Sequence, residues 1–203
     1  MSAEQATKKS AEGGGSARQR LIEAAREEFG DKGIEAATTR GIAERAGCNE
    51  VTLFRNFESK QKLLQAVVAE TAGEFRELSE CRSGFSGDLL ADLGRYAEVY
   101  DQSLQRCEGM ARAMIGESRR WPTLAKELIG DVLEPLHRSI ADYLDQRKAT
   151  GEVRADLDGM AFAEILTSAL MGGLLRRSSG LSALDRQAWV RETVAVMVRG
   201  VGG

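Results

Sequence analysis

The stretch of sequence that decides the fold is residues 38–60, which read TTRGIAERAGCNEVTLFRNFESK. Thr38 and Asn49 are residue types that favour helix N-caps, and each precedes a short run of apolar residues at helical spacing. Gly47 lies between the two runs and suits the end of the first helix. Two short helices joined by a tight glycine turn predict a helix-turn-helix.

The second short helix has a buried side and an outward side. Leu53 and Phe57 share the apolar face, while Glu50, Thr52 and Arg55 turn outward. A helix that enters the major groove of DNA needs this arrangement, with one face anchored and the other free. Residues 39–62 carry five basic and three acidic side chains, a local charge of +2 in a chain of net charge -3. Because this excess is small, the pattern supports the prediction more than the charge does.

The segments on either side also read as helices, and none alternates with period two. Residues 1–16 are polar and rich in small side chains, so we expect a disordered tail. A capping box at residues 16–19 opens a helix that ends at Gly33. Ser59 opens a fourth helix that should run to about Glu80.

Longer helices are predicted beyond a serine- and glycine-rich joint at residues 82–87. Their expected bounds are 88–107, 109–119, 122–150, 158–177 and 185–200, with a kink at Pro135. The predicted fold class is therefore all-α, with an N-terminal three-helix helix-turn-helix domain and a C-terminal helical domain.

Composition excludes several classes of function. The chain is 42% hydrophobic, which is enough for a real core. The single histidine, His137, and three cysteines without a C-x-x-C pair argue against a zinc site and against Ser-His or Cys-His catalysis. We therefore expect no metal, no cofactor and no enzyme. The absence of a signal segment or a spanning stretch predicts a soluble, cytoplasmic protein with no membrane partner.

The sequence over about residues 17–75 resembles the DNA-binding domain of TetR-family repressors. The matching positions keep fixed offsets, and they are residues 20–25, Phe29, Gly33, residues 38–40, Ile42, Ala43, Ala46, Gly47, residues 52–54, Asn56, Phe57, Ser59 and Lys60. Residues 76–203 match only as a run of helices. The resemblance implies that this second part binds a small molecule and forms a homodimer through its last two helices.

The resemblance also implies contacts to double-stranded DNA. Thr39 and Arg40 at the start of the second helix, and Lys60 at the start of the fourth, would bind phosphates. Thr52 would reach a phosphate or a base edge. The positions at which the family reads bases are Asn49, Glu50, Val51 and Arg55.

Three positions of this implied DNA site are unusual. Phe54 stands where the family usually has tyrosine, so a hydroxyl that could bind phosphate is lost. Asn56 stands where histidine is common, and it keeps a donor. Glu50 is acidic at the mouth of the recognition helix, where it would either accept from a cytosine N4 amine or stabilise its own helix N-terminus.

Side chains of the middle helices form the predicted ligand site. They are Tyr96, Tyr100, Leu104, Met110, Met114, Leu133 and His137. Their apolar bulk with few polar tips suits a small, largely apolar effector. The alternative is that they only fill the core, with His137 as a hydrogen-bonded structural histidine.

The last two predicted helices carry more apolar surface than one buried face requires. We expect them to form a four-helix bundle with a second copy, although they could instead complete a monomeric core. A two-fold dimer predicts a near-palindromic operator. The arginine pairs at residues 119–120 and 176–177 are expected at solvated helix ends.

Together these features favour a sequence-specific DNA-binding transcriptional regulator, a dimeric repressor that a small, largely apolar ligand releases from its operator. One alternative is an all-helical small-molecule carrier or enzyme whose N-terminal helices only resemble a DNA-binding module. The other is a DNA-binding repressor with no small-molecule effector.

Overall fold

The structure, a computed structural model, describes residues 15–123, 126 and 129–201. Within them the chain forms helices and no β-strand, which confirms the all-α prediction. The α-helices are α1 (Ala17–Lys32), α2 (Thr39–Arg45), α3 (Glu50–Phe57), α4 (Lys60–Gly73), α5 (Arg76–Cys81), α6 (Leu89–Arg106), α7 (Glu108–Glu117), α8 (Glu134–Ala149), α9 (Gly159–Ser178) and α10 (Arg186–Arg199). A 3-10 turn (Arg82–Gly84) follows α5, and a π-helical turn (Ile129–Leu133) precedes α8. The tail predicted for residues 1–16 lies outside the described residues up to residue 14.

Side-chain caps set the predicted helix starts. Ser16 Oγ accepts a hydrogen bond from the backbone amide three residues on at 3.2 Å. Thr38 Oγ1 and Asn49 Oδ1 do the same at 3.0 and 2.9 Å. Each such cap stabilises its helix by about 1 kcal/mol. Later helices open in the same way, at Asp88, Asp158 and Asp185.

The chain divides into two compact units, residues 1–69 and 70–203. The division falls before the boundary after residue 75 that the sequence suggested. In the first unit α1, α2 and α3 share a core whose fully buried side chains include Leu21, Ala25, Phe29, Ile34, Ile42 and Leu53. Burial of each large side chain in this set stabilises the unit by about 1.5–3 kcal/mol.

In the second unit α6, α8, α9 and α10 pack around a separate core. Two glycines allow the helices to approach closely. A Cβ atom on Gly159 would lie 3.0 Å from the Cα atom of Ala141, and one on Gly173 would lie 2.2 Å from Nε1 of Trp189. The Trp189 indole donates to the Ala169 carbonyl at 3.0 Å. Gly173 of α9 therefore packs against α10 of its own chain.

The fourth helix is shorter than predicted. α4 ends at Gly73 and α5 begins at Arg76, so no continuous helix runs to Glu80. Phe75, between them, is buried in the second core, with its ring centroid 5.5 Å from that of Tyr100. Gly73 weakens the helix at this point, because glycine is unfavourable in a helix interior. The turn at residues 74–75 is favoured because it buries the Phe75 ring.

The helix predicted over residues 122–150 changes type along its length. Residues 124, 125, 127 and 128 lie outside the described residues. The π-helical turn ends at Leu133, and α8 begins with Pro135 in its first turn. Because proline has no N–H to donate to an earlier carbonyl, a regular α-helix does not continue through Pro135. In place of the predicted kink, the structure has a change from a π-helical turn to an α-helix just before this residue.

Arg177 is not the solvated helix end that the sequence suggested. Its side chain is 15% exposed, and its Nη2 atom lies 3.1 Å from Oδ1 of the fully buried Asp101. Arg186 Nη1 lies 3.4 Å from the other carboxylate oxygen. A buried carboxylate needs such partners, because an unpaired charge in the interior is costly. The neighbouring Arg176 is exposed, as expected.

Neither a membrane span nor a metal-binding cluster occurs in the part of the chain that the structure describes. No described helix combines the length and apolar character needed to cross a bilayer. The described histidine, cysteine and acidic side chains do not gather in groups of three or more that could hold a metal ion.

Candidate nucleic-acid interface and ligand core

The orientation of α3 is fixed by its buried face and by both of its ends. Leu53 is fully buried and Phe57 nearly so. The guanidinium of Arg18 lies over the Phe57 ring, 5.2 Å from its centroid. Asn49 caps the start, and Glu58, with φ 62°, ends the helix in the left-handed region. These contacts determine which side chains of α3 face outward.

A buried carboxylate joins α1 to α2, and sequence analysis missed it. Glu28 is 2% exposed, accepts from Lys32 on its own helix and lies 3.0 Å from Arg45 Nη2. Arg45 Nη1 also lies 3.1 Å from both Glu27 and Asp31. Hydrogen bonds to these two carboxylates raise the pKa of Arg45 above its ordinary value. Arg45 contributed to the positive count of the sequence, but it is neutralised by α1.

The three residues predicted to bind phosphate already make contacts within the first unit. The Thr39 hydroxyl donates to Glu50 Oε1 at 2.5 Å. Arg40 Nε donates to Glu44 at 2.9 Å, and this hydrogen bond raises the pKa of Arg40. Arg40 nevertheless remains 80% exposed. Lys60 Nζ donates to a backbone carbonyl of the α1–α2 connection at 3.0 Å. The exposed Arg40 is therefore open to a phosphate, whereas Thr39 has committed its hydrogen.

The polar side chains of α3 also bond to their own unit. The Thr52 hydroxyl donates to Asn49 Oδ1 at 2.8 Å. Asn56 Nδ2 donates to the Thr52 carbonyl at 2.7 Å. Glu50 lies in the first turn of α3, where the partial positive charge of the helix end favours a carboxylate. This placement agrees with the helix-stabilising reading of Glu50, and a contact to cytosine stays a prediction.

Three side chains of α3 are exposed, and two of them are apolar. Val51 is 75% exposed and Phe54 is 45% exposed. Arg55 is exposed and has no hydrogen bond or ion pair with any described residue. The ten predicted DNA-contact residues thus all lie on α2, on α3 with its cap, or at the start of α4. Whether each touches DNA stays a prediction.

Three residues of the predicted ligand site lie on α6 inside the second core. Tyr96, Tyr100 and Leu104 are all almost fully buried. The two tyrosine rings are nearly parallel, with centroids 6.5 Å apart. Tyr96 donates to the Leu136 carbonyl at 3.4 Å. Burial raises the pKa of both tyrosines, so they are neutral donors or acceptors.

His137 lies on α8 and is hydrogen-bonded in the same core. Its Nε2 atom is 2.8 Å from Thr167 Oγ1, and the Thr167 hydroxyl donates to the Ala163 carbonyl at 3.0 Å. Burial lowers the pKa of His137, and the charge of Glu164 opposes this less strongly. This geometry agrees with a structural histidine, and Thr167 is a partner that sequence analysis missed.

The other predicted ligand residues are more scattered. Met110 and Met114 are buried on α7, and Leu133 is half-buried at the end of the π-helical turn. An open cleft in the second unit contains none of the seven predicted residues, and its lining is Arg82, Ser83, Pro135, Leu136 and Ser139. Involvement of the seven in ligand binding stays a prediction.

A second buried carboxylate on α6 organises the segment before that helix. Asp92 accepts from the backbone amides of Ser86 and Gly87 at 2.7 and 2.8 Å, and from the Tyr143 hydroxyl at 2.6 Å. Burial alone would raise the pKa of Asp92, but these hydrogen bonds outweigh it and hold the pKa below its usual value. An acidic residue in the first turn of a predicted helix was the available signal in the sequence.

Two family models match the chain, one in each unit. The model described as "Bacterial regulatory proteins, tetR family" matches residues 21–67. The model described as "Tetracyclin repressor-like, C-terminal domain" matches residues 86–196, more than half of the chain. The first match contains α2 and α3, and the second contains α6 to α9 and most of α10.

Similar proteins agree with these matches over nearly the whole chain. The HTH-type transcriptional repressor AcnR of Corynebacterium diphtheriae is 28% identical over 165 residues, which cover 80% of this chain and 82% of AcnR. The uncharacterized HTH-type transcriptional regulator YvkB of Bacillus subtilis is 25% identical over 188 residues, 90% of this chain and 95% of YvkB. The solved structure of the flavonoid-responsive regulator FrrA has a TM-score of 0.63 at 25% identity and covers 93% of this chain and 98% of FrrA.

Proposed function

This chain belongs to the TetR family of bacterial regulatory proteins, and we propose that it acts as a homodimeric repressor which a small, largely apolar ligand releases from its operator. Membership of the family makes it a sequence-specific DNA-binding transcriptional regulator. Its relatives are transcriptional regulators, and the proposed function requires no catalytic step.

The observation that carries the proposal is the anchored α3, whose outward side chains are free to enter a major groove. Phosphate contacts at the starts of α2 and α4 would fix its register on the duplex. We assign these phosphate contacts to the backbone N–H of Thr39 and to the side chains of Arg40 and Lys60. Base-edge contacts would come from α3 and its cap, and the candidates are Asn49, Glu50, Val51 and Arg55. Thr52 would reach a phosphate or a base edge, and Phe54 and Asn56 are further candidates for contact with DNA. The relative AcnR is named a repressor, which supports repression as the mode of control.

Exposed apolar side chains on α9 and α10 support the homodimer. Ile165 is 60% exposed and Val196 is 65% exposed. Leu181 and Leu184, in the connection between these helices, are exposed as well. A second copy would cover this surface by forming a four-helix bundle from α9 and α10 of both chains. A dimer with two-fold symmetry would then bind a near-palindromic operator.

The core around α6 to α9 is the proposed effector site. Its tyrosines, methionines and leucines would surround an apolar molecule, and the neutral His137 and the tyrosine hydroxyls would orient it. The relative FrrA is named a flavonoid-responsive regulator, which supports control by a small molecule. The ligand must prefer a state in which the two recognition helices no longer match successive grooves. A preference of about 100-fold corresponds to about 2.7 kcal/mol, enough to shift a balanced equilibrium.

A band-shift assay on DNA flanking the protein's own gene tests the proposal, with an unrelated fragment of equal length as the control. We expect preferential binding to the flanking DNA, a dimeric mass in sedimentation at micromolar concentration, and loss of the shift with some members of an apolar compound library. Equal affinity for both fragments would contradict operator binding at that locus. A monomeric mass would contradict the dimer. Specific binding that no compound loosens would favour a repressor without an effector.

A further inference from the structure

The outward turn of α3 exposes two apolar side chains beside a single cation. Val51, Phe54 and Arg55 are spaced i, i+3 and i+4, so they lie close together on the helix surface. Val51 and Arg55 face away from the buried Leu53 and Phe57, and Phe54 lies at the edge of the buried face. Single exposed apolar residues are common, but two on one turn of an eight-residue helix make a continuous apolar contact area.

Part of the hydrogen-bonding capacity of the same helix is used by its own unit. The Thr52 hydroxyl hydrogen goes to Asn49, and one of the two Asn56 amide hydrogens goes to the Thr52 carbonyl. The Glu50 carboxylate accepts from Thr39. Arg55 is the exception, since its guanidinium has no partner among the described residues.

Resting on the proposed function, we infer that this helix reads each half-site through the C5-methyl groups of thymine, contacted by Val51 and Phe54, next to a guanine bound by Arg55. In the major groove only thymine presents a methyl group, and apolar side chains select it. A guanidinium binds the O6 and N7 atoms of guanine as a fork. The three exposed side chains of α3 offer these two chemistries.

The spacing along the helix limits how far apart these bases lie. Val51 and Arg55 are four residues apart, a rise of about 6 Å along the helix axis. Successive base pairs of duplex DNA rise by about 3.4 Å. The thymine that Val51 contacts and the guanine that Arg55 binds therefore lie within two base-pair steps of each other in every half-site.

The test begins with selection of binding sites from a randomised double-stranded library by the full chain. A library from which no sequence is enriched would refute the proposed function itself. Enriched sites should contain thymine within two steps of guanine in each half-site. Each thymine is then replaced singly by deoxyuridine, which keeps Watson–Crick pairing and removes only the methyl group.

We expect one uracil position to lower the affinity of the wild-type chain about fourfold per half-site, the value of one buried methyl group, and about fifteenfold when both half-sites carry it. Val51→Ala should lower affinity for the thymine operator and remove the penalty at that position. Phe54→Ala should do the same at a neighbouring thymine. Leu90→Ala, at an aliphatic side chain that is 52% exposed in the second unit, is the control and should keep every penalty.

Arg55→Ala should keep the uracil penalties and lose at least fivefold discrimination at the guanine. Two results would overturn the inference while leaving a DNA-binding regulator intact. One is that uracil is tolerated at every thymine of the enriched site. The other is that Val51→Ala and Phe54→Ala both retain the full uracil penalties.

Discussion

Alanine substitutions at two adjacent glycines of α9, Gly172 and Gly173, should change the free energy of unfolding in opposite directions. A Cβ atom on Gly173 would lie 2.2, 2.4 and 2.6 Å from three atoms of the Trp189 indole. A Cβ atom on Gly172 would meet no atom of the described residues within 4 Å, apart from its chain neighbours and the backbone of its own helix. Both positions are in the interior of the same helix, so the backbone contribution of each substitution is the same.

The expected change in stability at Gly173 follows from the hydrogen bond and the buried surface that the Trp189 indole would lose. Alanine in place of glycine in a helix interior stabilises by about 1 kcal/mol, which is the full effect at Gly172. At Gly173 the indole must move, which breaks its hydrogen bond to Ala169, a loss of about 1 kcal/mol. Exposure of about half of an indole surface of roughly 200 Å² costs about 2.5 kcal/mol more. Gly173→Ala should therefore destabilise the second unit by about 2.5 kcal/mol net.

Urea unfolding followed by tryptophan fluorescence measures this directly. The chain has two tryptophans, Trp121 and Trp189, and both belong to the second unit, so the signal reports on that unit. All variants are compared at one protein concentration, because the proposed dimerisation would contribute to apparent stability. Gly173→Ala should also shift the native emission to the red as the indole meets water. Equal midpoints for the Gly172→Ala and Gly173→Ala variants would refute the packing described for Trp189.

Three further perturbations have defined outcomes. Asp101→Ala leaves two guanidinium groups without their buried carboxylate and should cost about 3–5 kcal/mol in the same unfolding assay. The control Asp145→Ala breaks an exposed pair and should cost under about 0.5 kcal/mol, and equal losses would contradict the burial of Asp101. Burial lowers the pKa of His137, so the unfolded chain, with a histidine pKa of about 6.5, takes up a proton first as pH falls. The contribution of neutral His137 to the free energy of unfolding is therefore complete above about pH 6.5 and decreases below it. His137→Gln should reduce the change in the free energy of unfolding between pH 7 and 5. The same change in wild type and variant would contradict a buried, neutral His137. Lys60→Ala should weaken binding to all DNA sequences and reduce the slope of log affinity against log salt by about 0.9 per lost contact, whereas an effect on one sequence only would contradict a phosphate contact.

The backbone frame of the candidate interface was predictable because its signals are local. Thr38 and Asn49 cap α2 and α3 as expected, and Gly47, with φ 68°, adopts a conformation that other residues rarely take. Leu53 and Phe57 face the core because spacing alone places them on one side. Such signals act within a few residues of the chain, so sequence is enough to detect them.

The partners of charged side chains were not predictable, because they depend on residues distant in sequence. Arg45 and Arg177 both occupy last turns of helices, where solvation is the usual expectation. In the structure Arg45 meets the acids of α1, and Arg177 meets Asp101, 76 positions away. The break between α4 and α5 escaped prediction for the same reason, since burial of Phe75 against Tyr100 is a tertiary contact.

The proposed readout makes operator recognition depend on two half-sites at once. Each α3 offers methyl contacts and one arginine, and a good bidentate arginine–guanine pair contributes only about 1–3 kcal/mol of discrimination. Phosphate contacts add affinity for every sequence alike. In the proposed dimer, discrimination would therefore come from engaging two recognition helices at a fixed separation. A ligand that changed this separation by part of a base-pair step would remove one set of base contacts, and the remaining half-site would then compete with a large number of similar sequences. Release from the operator would accordingly need no rearrangement within α3, because the geometry between two copies is enough.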